Sequence, residues 1–148
     1  MPELPEVETV VRDLRRAGLV GRVLKRVRVR CPQTVAPATP GQFTRALAGR
    51  RIVRLGRRAK FILLSLDQGW TLLVHLRMTG QFYFPAPRQA PDAHDHVLLT
   101  LDDRRELRFR DTRKFGRWRL VRRPDEVLGH LGPEPLGPDF TLAWFAKN

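Results

Sequence analysis

Seven short apolar or alternating segments follow one another between residues 51 and 121, with turn residues between them. They are Arg51–Arg57, Lys60–Leu66, Thr71–Arg77, Gln81–Phe84, His96–Leu101, Glu106–Arg110 and Arg117–Val121. Phe61–Leu64 and Leu72–Leu76 are almost continuously apolar, which is typical of strands at the centre of a sandwich. Short strands at regular spacing favour a β-sandwich or barrel. We therefore predict a mainly β fold, a two-layer antiparallel β-sandwich.

The first fifty residues add flanking helices and one more strand. From Val7 onward, apolar residues recur at i, i+3, i+4 and i+7, which predicts a helix over Pro5–Ala17. Arg22–Arg30 alternates in its second half, which predicts a strand with one buried and one cationic face. Pro32–Gly41 is interpreted as a proline-rich loop, and Gln42–Ala48 as a short helix. The sandwich is thus expected to carry an N-terminal helix that begins close to Pro2.

The charge of the chain points to a polyanionic partner. Lys and Arg number 28 against 15 Asp and Glu, which gives a net charge of +13. Nucleic acid is the simplest partner for such a chain, and an anionic membrane surface is the other candidate. No apolar stretch reaches the ~18 residues that a membrane-spanning helix needs. The acidic N-terminus does not resemble a signal peptide, and the single cysteine, Cys31, fits a reducing compartment, so we expect a cytoplasmic protein.

The basic residues are concentrated in two stretches. Residues 45–60 contain seven Arg or Lys and no acid, and residues 104–123 contain ten against two acids. The acids gather at the N-terminus and after residue 124. This asymmetry indicates a directed basic surface rather than general solubility.

The N-terminal sequence Met1-Pro2-Glu3-Leu4-Pro5-Glu6 allows two interpretations. Without Met1, Pro2 carries a free secondary amine, and α-amino groups titrate near ~7.7–8.0, so part of it is a neutral nucleophile at physiological pH. Attack on a carbonyl-like carbon would give a cationic iminium, with Glu3 and Glu6 available as acids. The same residues also suit an ordinary helix start, where proline and acids are favoured. If Met1 is retained, the Pro2 nitrogen is an amide and cannot attack.

Four further segments carry candidate site residues, namely Arg57–Lys60, His75–Gly80, His94–His96 and Arg110–Gly116. Lys60 opens a predicted strand, so its stem can pack while its ammonium emerges at an edge. Arg113 and Phe115 lie two residues apart on a predicted tight loop, which suits insertion into a base stack. Each residue also has an ordinary structural explanation, as a strand-end histidine, a core methionine or a solvated turn. No third ligand is spaced to complete a metal site with His94 and His96.

Taken in order, these segments resemble the N-terminal domain of the formamidopyrimidine-DNA glycosylase family. The resemblance rests on Pro2–Thr9, Arg58–Lys60, His75–Gly80, His94–Val97, Asp111–Gly116 and Leu131–Leu136. It implies a bifunctional base-excision repair enzyme of the bacterial cytoplasm that acts as a monomer on double-stranded DNA. Such an enzyme excises oxidised purines, chiefly 8-oxoguanine and formamidopyrimidines, and then nicks the abasic strand by β,δ-elimination.

The resemblance also implies the catalytic residues. Pro2 matches the nucleophile that attacks the sugar C1′, and Glu3 matches the acid that assists sugar-ring opening. Glu6 matches a carboxylate that helps to position the site. Lys60 matches a lysine that supports lesion and phosphate chemistry and β-elimination.

The remaining matched positions are implied to contact DNA. His75 and His94 match DNA-contacting histidines. Met78, Arg113 and Phe115 match the trio that fills the gap left by the flipped nucleotide, with Arg113 facing the orphaned cytosine. A flipped base must be replaced in the stack because unstacking costs a few kcal/mol.

The same resemblance suggests the domain organisation. Residues 1–132 would form the catalytic β-sandwich, and residues 133–148 a linker and the start of a helix-two-turn-helix domain. No cofactor is expected in this chain, because the family's structural zinc belongs to a zinc finger further along. Thr112 stands where proline is usual in the family and Lys114 where arginine is common, and neither position touches the implied chemistry.

Two alternatives remain open from the sequence. An endonuclease VIII type enzyme, which excises oxidised pyrimidines, typically starts Pro-Glu-Gly-Pro-Glu, whereas Leu4 stands in place of the glycine here. That type also lacks the Met78, Arg113 and Phe115 trio in this form, so both features favour the purine enzyme. The other alternative is a non-catalytic β module that binds DNA without cleaving it.

Overall fold

The computed structural model describes residues 4–122, and this part of the chain folds as two antiparallel four-stranded sheets with flanking helices. The elements in chain order are α1 Leu4–Arg16, β1 Leu24–Val29, α2 Pro32–Val35, α3 Pro40–Leu47, β2 Ile52–Arg58, β3 Phe61–Leu66, β4 Thr71–His75, β5 Gln81–Tyr83, β6 Asp95–Leu101, β7 Glu106–Arg110 and β8 Arg117–Val121. One sheet has the order β1-β6-β7-β5 and the other β2-β3-β4-β8. The predicted fold class is confirmed.

A single apolar core lies between the two sheets. Inward-facing residues alternate along each strand, as for Ile62 and Leu64 in one sheet and Val97 and Leu99 in the other. Trp118 is fully buried, and its ring lies 5.4 Å from that of Phe109 across the core. Each such side chain contributes ~1.5–3 kcal/mol through burial. The nearly continuous apolar runs form β3 and β4, the two central strands of their sheet, as the sequence predicted.

Helices close both open sides of the sandwich. α1 packs on the edge strand β2 and faces β5 across a small apolar cavity that Leu14 and Phe82 line. Val7 and Val11 bury the apolar stripe of the same helix. On the opposite side, α2 and α3 pack against the edge strands β1 and β8. The helices thus complete the core that the two sheets share.

Several predicted boundaries differ from the observed ones by one or two residues; β4, for example, ends at His75 and not at Arg77. Pro32–Gly41 is not wholly a loop, because α2 and the first two residues of α3 lie within it. Thr39 caps α3: its hydroxyl accepts the N–H of Gln42 at 3.1 Å, and its own N–H donates to the Gln42 side chain at 3.0 Å. This reciprocal capping, with Pro40 at the first helical position, starts the helix two residues earlier than the prediction. Lys60 lies in the turn before β3, not within the strand.

Within residues 4–122, no helix combines the length and apolar character that crossing a bilayer requires. Cys31 is a buried free thiol just after β1.

Candidate active site and nucleic-acid interface

The strand register brings six of the predicted site residues to one end of the sandwich. In the second sheet, Phe61 of β3 pairs with His75 of β4, which in turn pairs with Arg117 of β8. In the first sheet, Arg110 of β7 pairs with Gln81 of β5 on one side and with the start of β6 on the other. The loops that leave these strand ends carry Lys60, His75, Met78, His94, Arg113 and Phe115. We call this end of the sandwich the site end.

The direction of α1 places its first residue at the site end as well. Glu8 forms an ion pair with Arg57 at 2.8 Å, and Arg15 donates to the carbonyl of Leu55 at 2.6 Å. The later helix residue, Arg15, contacts the earlier strand residue, Leu55, so α1 runs antiparallel to β2. Its N-terminus therefore lies beside the end of β2 where Lys60 follows. Glu6 is exposed in the first turn of α1, and Pro2 and Glu3 lie outside the described residues.

Lys60 is a half-buried cation in the two-residue turn between β2 and β3. The preceding residue, Ala59, has φ 53, a left-handed conformation that a non-glycine residue adopts at a steric cost. No ion pair joins Lys60 to a carboxylate within the described part of the chain. Its ammonium is therefore available to an anionic ligand.

His75 is held neutral beside two cations. Burial, together with the charges of Arg77 and Lys60, lowers the pKa of His75 from 6.5 to about 4. Its ring packs edge-on against Phe61, with centroids 4.9 Å apart. The backbone N–H of Arg77 donates to Nδ1 at 3.0 Å, so the ring proton resides on Nε2. A neutral Nε2–H donor among cations suits contact with a phosphate oxygen.

Met78, Arg113 and Phe115 form one exposed cluster from two different loops. The Arg113 guanidinium donates to the Met78 sulfur at 3.7 Å and lies over the Phe115 ring at 5.0 Å from its centroid. Met78 is 50% exposed and Phe115 43% exposed. The two apolar side chains and the guanidinium between them form one contiguous exposed group, and contiguous exposed apolar surface is a feature of interaction sites. We call this cluster the wedge.

The carboxyl group of Asp111 joins the two loops of the wedge. One oxygen accepts from the Thr79 hydroxyl and, at 3.1 Å, from the N–H of Arg113. The other accepts from the N–H of Gly116 at 2.6 Å. The backbone carbonyl of Asp111 also lies 2.6 Å from Nε2 of His96. Asp111 has no exposed surface, so a buried polar hub fixes the spacing between Met78 and Arg113.

Two glycines let the wedge loops approach the core. A Cβ on Gly116 would lie 2.6 Å from the Phe109 ring and 2.9 Å from the Asp111 carboxyl group. A Cβ on Gly80 would lie 2.6 Å from the carbonyl of Leu76 and 2.9 Å from the Phe109 ring. Both contacts are closer than van der Waals packing permits. Side chains are therefore excluded at both positions, and the loops rest directly on the Phe109 ring.

His94 lies at the edge of the same end of the sandwich. Its backbone N–H donates to Asp92 at 2.8 Å, and its carbonyl accepts from the N–H of Asp111 at 3.0 Å. The N–H of His94 and the Arg110 guanidinium hold the pKa of Asp92 below its usual value. Nδ1 of His94 is buried without a hydrogen-bond partner among the described residues, which leaves a ring nitrogen unsatisfied.

No group of three or more His, Cys, Asp or Glu side chains in the described ranges is placed to hold a metal ion. His94 and His96 point into different environments, because Nε2 of His96 is already engaged by the carbonyl of Asp111.

Sequence reasoning missed Asp111 as the organiser of this site. The sequence shows it only as the first residue of the Asp111–Gly116 motif, although an aspartate before a turn commonly accepts a backbone N–H two residues later. Asp111 accepts from Arg113 in that way. The link to Thr79, which is 32 residues distant in sequence, had no local signal.

Comparison with known proteins identifies relatives along the whole described fold. Residues 1–118 match the family model for the formamidopyrimidine-DNA glycosylase N-terminal domain. A formamidopyrimidine-DNA glycosylase of Herpetosiphon aurantiacus is 51% identical over 100% of this chain and 55% of its own length. The enzyme of that name from Bacillus subtilis is 45% identical over 97% of this chain and 53% of its own length. The chain thus spans about half the length of the curated relatives it matches.

Solved structures of Lactococcus lactis Fpg match the same fold. A complex of that protein with DNA containing an abasic site aligns with a TM-score of 0.78 and 32% identity, over 88% of this chain and 47% of that one. A complex with DNA containing Fapy-dG aligns with a TM-score of 0.77 and 32% identity, over 87% of this chain and 47% of that one.

Proposed function

The chain belongs to the formamidopyrimidine-DNA glycosylase family, and from that premise we propose that it supplies the catalytic half of a bifunctional glycosylase acting on oxidised purines in double-stranded DNA. One observation carries the proposal. The N-terminal end of α1, the Lys60 cation and the wedge all lie at the site end of the sandwich. These are the parts needed to attack a sugar, neutralise phosphate and replace a flipped base.

The proposed nucleophile is the free amine of Pro2. Covalent geometry keeps Pro2 within ~8 Å of Leu4, since successive Cα atoms are 3.8 Å apart. The amine nitrogen forms a bond to the sugar C1′ as the glycosidic bond breaks, and the base leaves with a proton. Glu3 protonates the ring oxygen as the sugar opens, which yields an iminium. Loss of a C2′ proton then expels the 3′ phosphate, and a second elimination expels the 5′ phosphate.

Lys60 and His75 are proposed to hold the DNA backbone at the damaged nucleotide. The Lys60 ammonium has no carboxylate partner among the described residues, so binding a phosphate would break no ion pair with any of them. His75 stays neutral at physiological pH because its pKa is lowered to about 4, and it can donate its Nε2–H without adding charge. Glu6, exposed in the first turn of α1, is proposed to help position the site.

The wedge is proposed to occupy the space of the extruded nucleotide. Met78 and Phe115 supply apolar surface for stacking, and Arg113 supplies donors for the base left without a partner. Arg113 is free to do so because its guanidinium contacts only the sulfur and the ring of the wedge within the described residues. His94 is proposed to contact the DNA at the edge of the site end.

Sodium borohydride trapping tests the proposal directly. The 148-residue protein, with Met1 removed and the free Pro2 amine verified by mass spectrometry, is incubated with abasic duplex DNA and borohydride. The proposal expects a covalent adduct that resists denaturation. The same chain with Met1 retained is the matched control, because its Pro2 nitrogen is an amide and forms no iminium. Pro2→Gly is expected to abolish normal trapping.

The two alternatives give different results. Excision from an 8-oxoguanine duplex and not from a thymine-glycol duplex supports the purine enzyme, and the reverse supports the endonuclease VIII type. If the free-amine chain gives no adduct but still shifts duplex DNA in a gel, this chain is a DNA-binding module alone.

A further inference from the structure

A second cationic feature lies away from the site end. A cavity of about 530 Å³ is walled by the β5–β6 loop and by the turn between β6 and β7. Its lining includes four arginines and an aromatic ring: Arg88, Arg104, Arg105, Arg108 and Phe84. β7 begins at this cavity with Glu106 and reaches the site end at Arg110, a separation of ~13 Å along the strand. We call it the arginine cavity.

Two of the four arginines are neutralised within the protein. Arg108 is 4% exposed, pairs with Glu106 at 2.6 Å and donates to the carbonyl of Gln89 at 2.6 Å. Arg105 pairs with Asp103 at 2.8 Å. These contacts fix the walls of the arginine cavity and contribute little net charge to it.

The other two arginines have no partner among the described residues. Within residues 4–122, neither the Arg88 nor the Arg104 guanidinium forms a hydrogen bond or an ion pair. Both line the same cavity, so two uncompensated positive charges face one space. An anion in that space would interact favourably with both.

The backbone at both positions does not favour arginine. Arg88 has φ 63 in a turn that Gln89 closes, through its N–H to the Ala86 carbonyl at 3.1 Å and its side chain to the Ala86 N–H at 2.9 Å. Arg104 has φ 74 in the β6–β7 turn, where its N–H donates to Leu101 at 3.1 Å. Glycine or asparagine fits these left-handed positions with less strain. Two long cations are held there at a steric cost, in two turns that line one cavity.

We propose that the arginine cavity binds a nucleotide through its phosphate. The paired N–H donors of a planar guanidinium match the spacing of phosphate oxygens. Phe84 is 36% exposed, with the Arg105 guanidinium 5.1 Å from its ring centroid, and this ring offers a surface on which a base can stack. The cavity volume falls within the ~300–1,000 Å³ of typical small-ligand sites. A free nucleoside monophosphate and a nucleotide within a DNA strand share this chemistry.

The site is independent of the proposed glycosylase chemistry. It lies at the opposite end of β7, and none of its lining residues belongs to the wedge or to the Lys60 turn. Borohydride trapping therefore reports on the site end alone, and the nucleotide affinity lost on substituting Arg88 and Arg104 reports on the arginine cavity.

Isothermal titration calorimetry with dAMP tests the proposal on the 148-residue protein. We expect saturable binding to the wild type, and affinity at least about tenfold weaker in Arg88→Gln/Arg104→Gln, because charge-assisted hydrogen bonds are the strong ones. Phe84→Leu should weaken binding of dAMP but not of inorganic phosphate. The affinity that Arg88→Gln/Arg104→Gln loses for the tetranucleotide (dA)4 separates the sources: a larger loss than for dAMP indicates a strand, and an equal loss indicates the free nucleotide.

The matched control is Arg45→Gln/Arg119→Gln, which removes the same charge from exposed positions outside the cavity. It should bind dAMP like the wild type, and thermal unfolding should show that both double variants are folded. Absence of saturable dAMP binding by the wild type would overturn the proposal. So would unchanged affinity in Arg88→Gln/Arg104→Gln, or an equal loss in the control pair.

Discussion

The hydroxyl of Thr79 donates to the carboxyl group of Asp111, and this one contact ties the β4–β5 loop to the β7–β8 loop. Met78 precedes the donor and Arg113 follows the acceptor, so the contact sets how far apart the parts of the wedge can be. Asp111 has no exposed surface, and water cannot replace the bond without opening the loops. The wedge is thus built in advance of any ligand.

Asp111→Asn should destabilise the domain by ~1–3 kcal/mol, the cost of a buried polar group left without its partners. The two carboxyl oxygens now accept from the N–H groups of Arg113 and Gly116. In the variant, an amide N–H₂ replaces one oxygen and would face one of these N–H donors without forming a hydrogen bond. Urea unfolding measures the change. Asp102→Asn is the control, because Asp102 is exposed and makes a 3.5 Å ion pair with Arg22. It should stay within ~0.5 kcal/mol of the wild type. Equal effects of the two substitutions would contradict the conclusion that the buried Asp111 carboxyl group holds the two wedge loops together.

Gly116→Ala should destabilise the domain by ~1–3 kcal/mol through overpacking. The added methyl would meet the Phe109 ring at 2.6 Å and the Asp111 carboxyl group at 2.9 Å, and neither is free to move away. Gly41→Ala is the matched control within α3, where the nearest atom is the flexible end of Arg45 at 3.3 Å. Alanine there should be neutral or stabilise by up to ~1 kcal/mol through helix propensity. Thermal unfolding of both variants decides whether the close packing at Gly116 is real.

His75 should make stability depend on pH below neutrality. Its pKa is lowered to about 4 in the folded protein, whereas an unfolded histidine titrates near 6.5. The unfolded chain therefore binds the extra proton first, and the free energy of unfolding falls as pH decreases from 6.5 to 4, by at most ~3 kcal/mol. His75→Gln should remove this part of the slope between urea unfolding at pH 7 and at pH 4.5. An unchanged slope in the variant would show that the ring is not desolvated.

Arg113→Ala should mainly weaken discrimination of the base opposite the lesion. A well-placed arginine contact to a base contributes ~1–3 kcal/mol, so the preference for cytosine should fall by roughly tenfold or more. Excision from 8-oxoguanine duplexes with each opposite base measures it. Lys114→Ala is the neighbouring control, since Lys114 is exposed and lies outside the wedge contacts. A preserved opposite-base preference in Arg113→Ala would count against this role.

Periodicity predicted the sheets well because the core is built from alternation. The runs at Phe61–Leu64 and Leu72–Leu76 are apolar on both faces, and they form the strands that are covered on both sides. The start of α3 at Pro40 was not predicted, because the proline content of this segment suggested a loop. The reciprocal capping hydrogen bonds between Thr39 and Gln42 stabilise a helix start there instead. Local polar geometry, and not hydrophobic pattern, decides such boundaries.

The site was only partly predictable for a similar reason. Motifs identified Lys60, His75 and the three wedge residues, because their chemistry is visible in the residue types. Strand register, which no local pattern specifies, brings them to one end of the sandwich. Arg88 and Arg104 belong to no recognisable sequence motif. In a strongly basic chain, only their shared cavity and their left-handed backbone conformation distinguish them from the other arginines.

The placement of the three helices has a consequence for how the domain behaves at high concentration. β2 packs against α1, β1 against α3, and β8 against α2 and α3, so three of the four outermost strands have a helix beside them. Exposed outer strands are the usual route by which β proteins join edge to edge and aggregate. With helices beside three of its outermost strands and a strong positive charge to repel its own copies, this domain should resist self-association until a polyanion is added.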